Sequence, residues 1–234
     1  MCGRLTLTRP EQVAEHFELA AAEPLRARYN AAPGQAIASI DRHSEASARG
    51  LRLRHWGLVP PWAESPRVGA RMINARAETL AERPAFRSAF QRRRCLVPAD
   101  GFYEWDARRR PAQPYWLQLE SGGLFAFAAL FERWRDPQGE LLESLAIVTT
   151  AADASLASLH ARKPVILAPA DYERWLDPEL RATEPLRELF SPERGPSLAM
   201  RPVGLRVNDV RVDDASCLEP ALPAPRQGSL FGEG

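Results

Sequence analysis

Short apolar runs of strand composition, each closed by turn residues, dominate the chain and limit what it can fold into. They are QAIASI (35–40), LRLRHWGLV (51–59), RCLVPADGFYEW (94–105), YWLQLE (115–120), LFAFAALF (124–131), SLAIVTTAA (144–152) and PVILAP (164–169). β-Branched and aromatic residues fill them, as a pleated surface prefers. The connections at 106–114 and 135–140 carry Pro, Gly and charge, as hairpin loops do. Helical spacing is scarcer. TRPEQVAEHFELAAA (8–22) predicts a first helix: Thr8 and Glu11 form a capping box, Pro10 sits in the first turn, and Val13 and Phe17 share a face. Short helices are predicted at 85–92, 153–160, 170–176 and 178–189. Strands outnumber helices and regular βαβ alternation is missing. The expectation is an α+β fold with a largely antiparallel, curved or barrel-like sheet flanked by short helices.

The 234 residues suffice for one large domain or two small ones, with a real hydrophobic core. Net charge is +1 with 26% charged residues, so no global field draws the chain to nucleic acid and any such site is a local cluster. Lys163 is the sole lysine; the other basic residues are arginines, whose forked guanidinium groups suit phosphates. Cys2, Cys95 and Cys217 stand far apart, without CxxC or metal-type spacing, so neither a disulfide framework nor a metal site is expected. No signal peptide and no bilayer-length apolar run is read, which favours a cytoplasmic protein with reduced thiols and no membrane partner.

Position 2 asks for an explanation. A small second residue permits removal of Met1, and Cys2 would then carry a free α-amine beside its thiol. Such a 1,2-aminothiol condenses with aldehydes, first to an imine and then to a thiazolidine. The plainer reading is an incidental residue at a frayed end. Polar stretches inside apolar surroundings supply further candidates. RYNAAPGQ (28–35) has Asn30 and a Pro33-Gly34 turn. MINARAET (72–79) puts Asn74, Arg76 and Glu78 on one face of an extended segment. Glu104 stands between Tyr103 and Trp105, and His160 and Arg162 precede a buried-looking strand. Each has a plainer reading as well: a turn, a solvated face, an edge charge, a helix end.

Taken in order, these pieces resemble the SRAP family, the SOS response-associated peptidases. The matching segments are MCGR, RYNAAPG, WGLVPPW, INARAE, RCLVPADGFYEW, HARKP and VGLRVND, spread over about residues 1–220. The resemblance implies one domain over 1–220 and a role in the DNA damage response: capture of abasic sites in single-stranded DNA as a thiazolidine DNA–protein crosslink. It implies catalytic roles for Cys2, Asn74, Glu104 and His160. Cys2 is the nucleophile once Met1 is gone, Glu104 the proton carrier, His160 the acid that opens the sugar ring, and Asn74 the orienting group. Flanking aromatics are expected to desolvate Glu104. It also implies DNA contacts by Arg4, Arg76 and Arg162 to phosphates, and by Pro33 and Trp62 to bases, at single strands or single-to-double-strand junctions. No cofactor is implied, a monomer is expected, and the peptidase label rests on self-processing, with lyase activity beside it. Two positions depart from the family pattern. Ala63 follows Trp62 where a second aromatic is common, and Lys163 precedes Pro164 where methionine or arginine is common; the lysine would add a phosphate contact or face solvent. Cys95 reads as a packing residue, and Cys217 has no assigned place.

The last stretch, 221–234, reads as a flexible tail. Its QGSLF resembles a bacterial sliding-clamp motif, with Gln227 as polar anchor and Leu230 and Phe231 as pocket residues. That makes the clamp an expected partner and places the protein at the nucleoid during repair. Two other functions fit the same residues. One is an N-terminal-nucleophile cysteine peptidase using Cys2 and His160, with Glu104 orienting the histidine. The other is a non-catalytic reader of single-stranded or modified DNA, whose salt-sensitive binding survives Cys2→Ala.

Overall fold

A computed structural model describes residues 2–20, 23–44 and 47–221. In chain order its strands are β1 (Leu5–Leu7), β2 (Arg28–Ala31), β3 (Ala36–Asp41), β4 (Gly50–Trp56), β5 (Asn74–Arg76), β6 (Arg94–Ala99) and β7 (Gly101–Asp106). There follow β8 (Gln113–Leu119), β9 (Phe125–Arg135), β10 (Leu141–Ala151), β11 (Arg162–Pro164), β12 (Ile166–Leu167) and β13 (Leu198–Pro202).

Five of them close a barrel. β4 pairs with β3, β3 with β6, β6 with β9 and β9 with β10, all antiparallel; β10 then pairs in parallel with β4 and shuts the ring. β10 also carries β5 in parallel and β11 antiparallel along its second half. Phe125, Phe127, Ala129 and Phe131 of β9 face one core, and Ala126, Ala128 and Leu130 face another. Both faces are covered, so the period-2 signal of a half-exposed strand is lost and the segment reads as one apolar run. The second of these cores includes Phe86 and Phe90 of the helix Pro84–Arg92 and Trp175 of the helix Tyr172–Leu176.

The other sheet runs β13-β8-β7-β1-β2, antiparallel throughout. RCLVPADGFYEW, expected as one strand, is therefore two: β6 belongs to the barrel and β7 to this sheet. The break is chemical. Asp100 accepts from Thr6 Oγ1, Thr8 N and Thr8 Oγ1, each at 2.6 Å. Gly101 lies so close to Trp116 that a Cβ would stand 2.2 Å from the indole Nε1.

The α+β, largely antiparallel, barrel-containing expectation holds. Helix Pro84–Arg92 forms where 85–92 was expected, and a 3-10 turn runs into helix Tyr172–Leu176 over 170–176; the other helices are shorter than expected. Thr8 is engaged by Asp100, so the capping box does not form; a 3-10 turn at Pro10–Gln12 leads into Val13–His16. Val13 and Phe17 are both buried, as their spacing predicts. Residues 153–160 are turns wound about buried Leu156, with Asp153 tied to Ser155 and Lys163. In 178–189 helix begins only at Glu184–Arg187, where Pro185 occupies the first turn, and passes into a 3-10 turn at Glu188–Phe190. β1, β2 and β13 lie in stretches where no strand was predicted.

Candidate active site

Cys2 is completely buried just ahead of β1. That strand is held on both sides, Leu5 opposite Ala31 of β2 and opposite Phe102 of β7. The Cys2 carbonyl accepts from Asn74 Nδ2 at 2.9 Å. Asn74 opens β5, opposite Ile147 of β10, and the preceding residue is pinned where Trp56 Nε1 donates to Ile73 O at 2.9 Å. Asn74 Oδ1 is buried with no hydrogen-bond partner among the described residues. A buried acceptor left open is rare and asks for a donor. Burial pushes the Cys2 thiol well above the usual range; the nearby Glu104 carboxylate pushes the same way, and the backbone N–H of Arg4 pulls back.

Glu104 lies on β7, buried. Burial raises its carboxyl above the ordinary value, against the pull of neighbouring positive charge, His160 included. The expected cause was the flanking aromatics, and that is corrected. Successive side chains on a strand point to opposite faces. Tyr103 and Trp105 face away, donating to Tyr29 O and Asn208 Oδ1, each at 2.7 Å. Phe102 shares the Glu104 face and packs in the core that contains Cys2. His160 stands just before β11. Its Nδ1 lies 2.9 Å from the Arg162 backbone N–H and 3.1 Å from the Arg162 carbonyl, so Arg162 fixes the ring's orientation through either tautomer.

Arg162 adjoins this cluster but its guanidinium is engaged. It grips Glu78 with both ends, at 2.7 and 2.9 Å, and donates to Thr149 O at 2.6 Å. Thr149 carried no signal in the sequence; Glu78 was visible only as part of a polar face. Arg76 is exposed beside Asn74. Arg4 is directed elsewhere: its NH1 donates to Asn30 Oδ1 at 2.9 Å and Val207 O at 2.7 Å, and its guanidinium lies over Trp105. Asn30 is buried and ties the 207–212 loop through the carbonyls of Val207, Asp209 and Val212. Pro33 is half-buried in its turn, where Gly34 takes φ 87°. Trp62 is 61% exposed.

Lys163 neither faces solvent nor reaches for a phosphate. It is buried, donating to Asp153 and to Pro192 O. Cys95 is buried in the core, as expected of a packing residue. Cys217 packs with Tyr103, Trp116, Val203 and Val207. Gln227, Leu230 and Phe231 lie outside the described residues. Among the described residues no group of His, Cys, Asp and Glu has the arrangement of a metal site, and no helix is long and apolar enough to cross a membrane.

Cys2, Asn74, Glu104 and His160 thus converge from four separate segments. A buried nucleophile sits with two proton-exchanging groups and an unfilled acceptor. Such a set suits addition to a carbonyl followed by loss of water.

A family model described as SOS response associated peptidase (SRAP) matches residues 1–210. The abasic site processing protein YoqW of Bacillus subtilis is 37% identical over 94% of this chain and 99% of its own length. The abasic site processing protein YedK of Escherichia coli is 30% identical over 94% of this chain and all of its own. A crystal structure of a protein from Bacteroides thetaiotaomicron shares the fold, with TM-score 0.81 at 24% identity over 94% of this chain and 100% of that one.

Proposed function

The chain belongs to the SRAP family, and from that membership we propose that it processes abasic sites in DNA by covalent capture at Cys2. The substrate is the ring-opened abasic sugar, which bears an aldehyde at C1′. Removal of Met1 converts the Cys2 amide nitrogen to an amine, whose pKa near ~7.7–8.0 leaves a reactive neutral fraction at physiological pH. The amine adds to C1′ and the resulting carbinolamine loses water to an imine. The thiol then adds to the imine carbon, its proton passing to the nitrogen, and closes a thiazolidine. No oxidant or metal takes part.

The observation that carries this reading is the placement of Asn74. Its Nδ2 already holds the Cys2 carbonyl, and its Oδ1 is buried and open. A Cys2 amine N–H is the donor that position lacks. Glu104, with its carboxyl raised by burial, exchanges protons with the amine and thiol. His160, oriented by the Arg162 backbone, acts as the acid that opens the sugar. Single-stranded DNA and strand junctions are the expected ligands, with Arg76, Arg162, Pro33 and Trp62 as contacts and base stacking on Trp62 worth about 1–3 kcal/mol. The tail motif Gln227, Leu230 and Phe231 is proposed to bind the sliding clamp; Leu230→Ala with Phe231→Ala should abolish capture by purified clamp.

The test is a denaturing gel. Purified protein, shown by intact mass to lack Met1, is incubated with single-stranded DNA carrying one abasic site, beside Cys2→Ala. A heat-stable shifted band that requires Cys2 is expected. Absence of the band from Met1-free protein refutes the chemistry. A band that persists in Cys2→Ala transfers the chemistry to another residue.

A further inference from the structure

The Arg162 guanidinium, a proposed phosphate contact, is already filled by protein. A guanidinium has five N–H donors in a fixed fork. NH1 and NH2 each give one to Glu78, at 2.7 and 2.9 Å. NH2 gives another to Thr149 O at 2.6 Å. Nε is buried with no hydrogen-bond partner among the described residues, so no external ligand reaches it there. What remains on NH1 is too little for the paired contact that makes arginine a strong phosphate binder.

The two partners differ in freedom. Thr149 is buried on β10, opposite Arg76 of β5 on one edge and Pro164 of β11 on the other. Its carbonyl belongs to the sheet. Glu78 sits in the 3-10 turn Ala77–Thr79 that follows β5, and its side chain is 51% exposed. The ion pair therefore bridges the end of β10, with a fixed strand under it and a free-standing carboxylate at one end. Burial opposes ionisation of Glu78, but its bonds to Arg162 and the charges of Arg162 and Arg76 hold its carboxyl below the ordinary range. A single carboxylate thus faces two of the arginines assigned to phosphate.

Glu78 also has somewhere else to go. It lines a cleft of about 330 Å³ together with Thr150, Arg187 and Phe190. Arg187 is exposed at the end of the helix Glu184–Arg187. A carboxylate that turns from Arg162 into this cleft meets a second guanidinium. An ion pair with one half-exposed partner is weak, whereas a bidentate arginine–phosphate contact is strong. The exchange of carboxylate for phosphate therefore favours DNA, less the cost of parting the pair.

We propose that Glu78 is an exchangeable counter-ion: it closes the Arg162 fork in the DNA-free protein, and a backbone phosphate displaces it toward Arg187. The inference rests on the abasic-site reading for its ligand and adds a brake to it. Reversible binding is lowered on every strand alike, and only a strand that carries an aldehyde is then retained by the bond to Cys2.

The test measures reversible binding by fluorescence anisotropy in Cys2→Ala protein. The probes are a single strand of about fifteen nucleotides with one abasic site and its undamaged counterpart, long enough to fill a typical single-strand site. Glu78→Gln and Glu78→Ala should each tighten binding to both by about twofold to fivefold, the range an exposed ion pair accounts for. In an Arg162→Ala background the same substitutions should gain clearly less, because only the field at Arg76 remains. Arg187→Ala should weaken binding while Glu78 is present and change nothing in the Glu78→Gln protein. Unchanged or weaker binding by both Glu78 variants overturns the proposal and leaves Glu78 as a positioning residue for Arg162. An equal gain with and without Arg162 overturns it in favour of general repulsion between Glu78 and DNA. An Arg187→Ala loss that persists in Glu78→Gln overturns the second seat and makes Arg187 a direct DNA contact. A gain that depends on Arg162, in a protein whose wild type forms no crosslink, keeps the counter-ion and refutes the capture chemistry. Failure of the Cys2→Ala parent to bind either strand overturns both.

Discussion

Asn74 offers a test in which the effect of a single substitution depends on the state of the N-terminus. While Met1 is present, Asn74 makes one hydrogen bond, to the Cys2 carbonyl, and leaves a buried Oδ1 open. Asn74→Ala then loses a bond worth about 0.5–1.5 kcal/mol and relieves an unsatisfied acceptor that costs about 1–3 kcal/mol. The net effect lies between a loss of about 0.5 and a gain of about 2.5 kcal/mol. For a chain of this size that is a Tm shift from about −2 to +10 °C. Once Met1 is removed, the new amine fills Oδ1 with a charged donor worth about 1.5–3 kcal/mol. The same substitution then loses both bonds, about 2–4.5 kcal/mol in total, and lowers Tm by at least about 4 °C. The assay is thermal unfolding of two matched pairs, one carrying an N-terminal extension that retains Met1, the other mature by intact mass. In the mature pair, loss of the amine's anchor should also slow crosslinking about tenfold to a hundredfold. Equal Tm changes in the two pairs would refute the idea that Oδ1 waits for the amine.

Three further expectations follow from other parts of the molecule. Glu104 has its carboxyl raised by burial, so the native state keeps that proton after the unfolded chain has lost it. Stability should therefore fall as pH rises from about 4.5 through the raised value, and Glu104→Gln should flatten that stretch of a urea-midpoint profile; parallel profiles would argue against it. Gly101→Ala forces a Cβ to within 2.2 Å of Trp116 Nε1 and breaks the indole bond to Thr6 Oγ1 at 3.1 Å. Overpacking of about 1–3 kcal/mol and a lost bond of about 0.5–1.5 kcal/mol should lower Tm by at least about 3 °C, and an unchanged Tm would show that the sheet yields freely. Arg4→Ala should lower Tm by about 3–12 °C, because a charged group bonded to Asn30 and Val207 O is lost, yet leave the salt slope of DNA binding unchanged. A smaller slope would make Arg4 the phosphate contact that the family resemblance implies.

The barrel strands were legible because their apolar runs are long and their ends carry turn chemistry. The boundary between β6 and β7 was hidden, since one continuous run serves two sheets and only the Asp100–Gly101 contacts divide it. β1 was concealed in a stretch read as the lead-in to a helix: Thr8 looked like a cap, and Asp100, far along the chain, claimed it. Cys2, Asn74, Glu104 and His160 were nameable from ordered motifs, but their convergence was not, because each comes from a different segment. Arg162 shows the limit most clearly. Its residue type suggests a phosphate, and the fold adds protein partners that no local pattern shows: Glu78, just after β5, and Thr149 of β10. The cause of the raised Glu104 carboxyl was misread for a related reason. Adjacency in sequence suggested Tyr103 and Trp105, and the alternation of a strand sends both to the other face.

The burial of Cys2 has a consequence for timing during synthesis. The proposed chemistry needs the Met1–Cys2 bond cut, and with Met1 still attached Cys2 is fully buried. The group that holds its carbonyl comes 72 residues later, and the strand that covers β1 pairs through Phe102. At about 5–20 residues per second, translation takes roughly 5–20 s to produce that covering strand. On the proposed chemistry, removal of Met1 by a separate aminopeptidase is favoured within that interval, whereas self-processing by the folded chain is not bound by it.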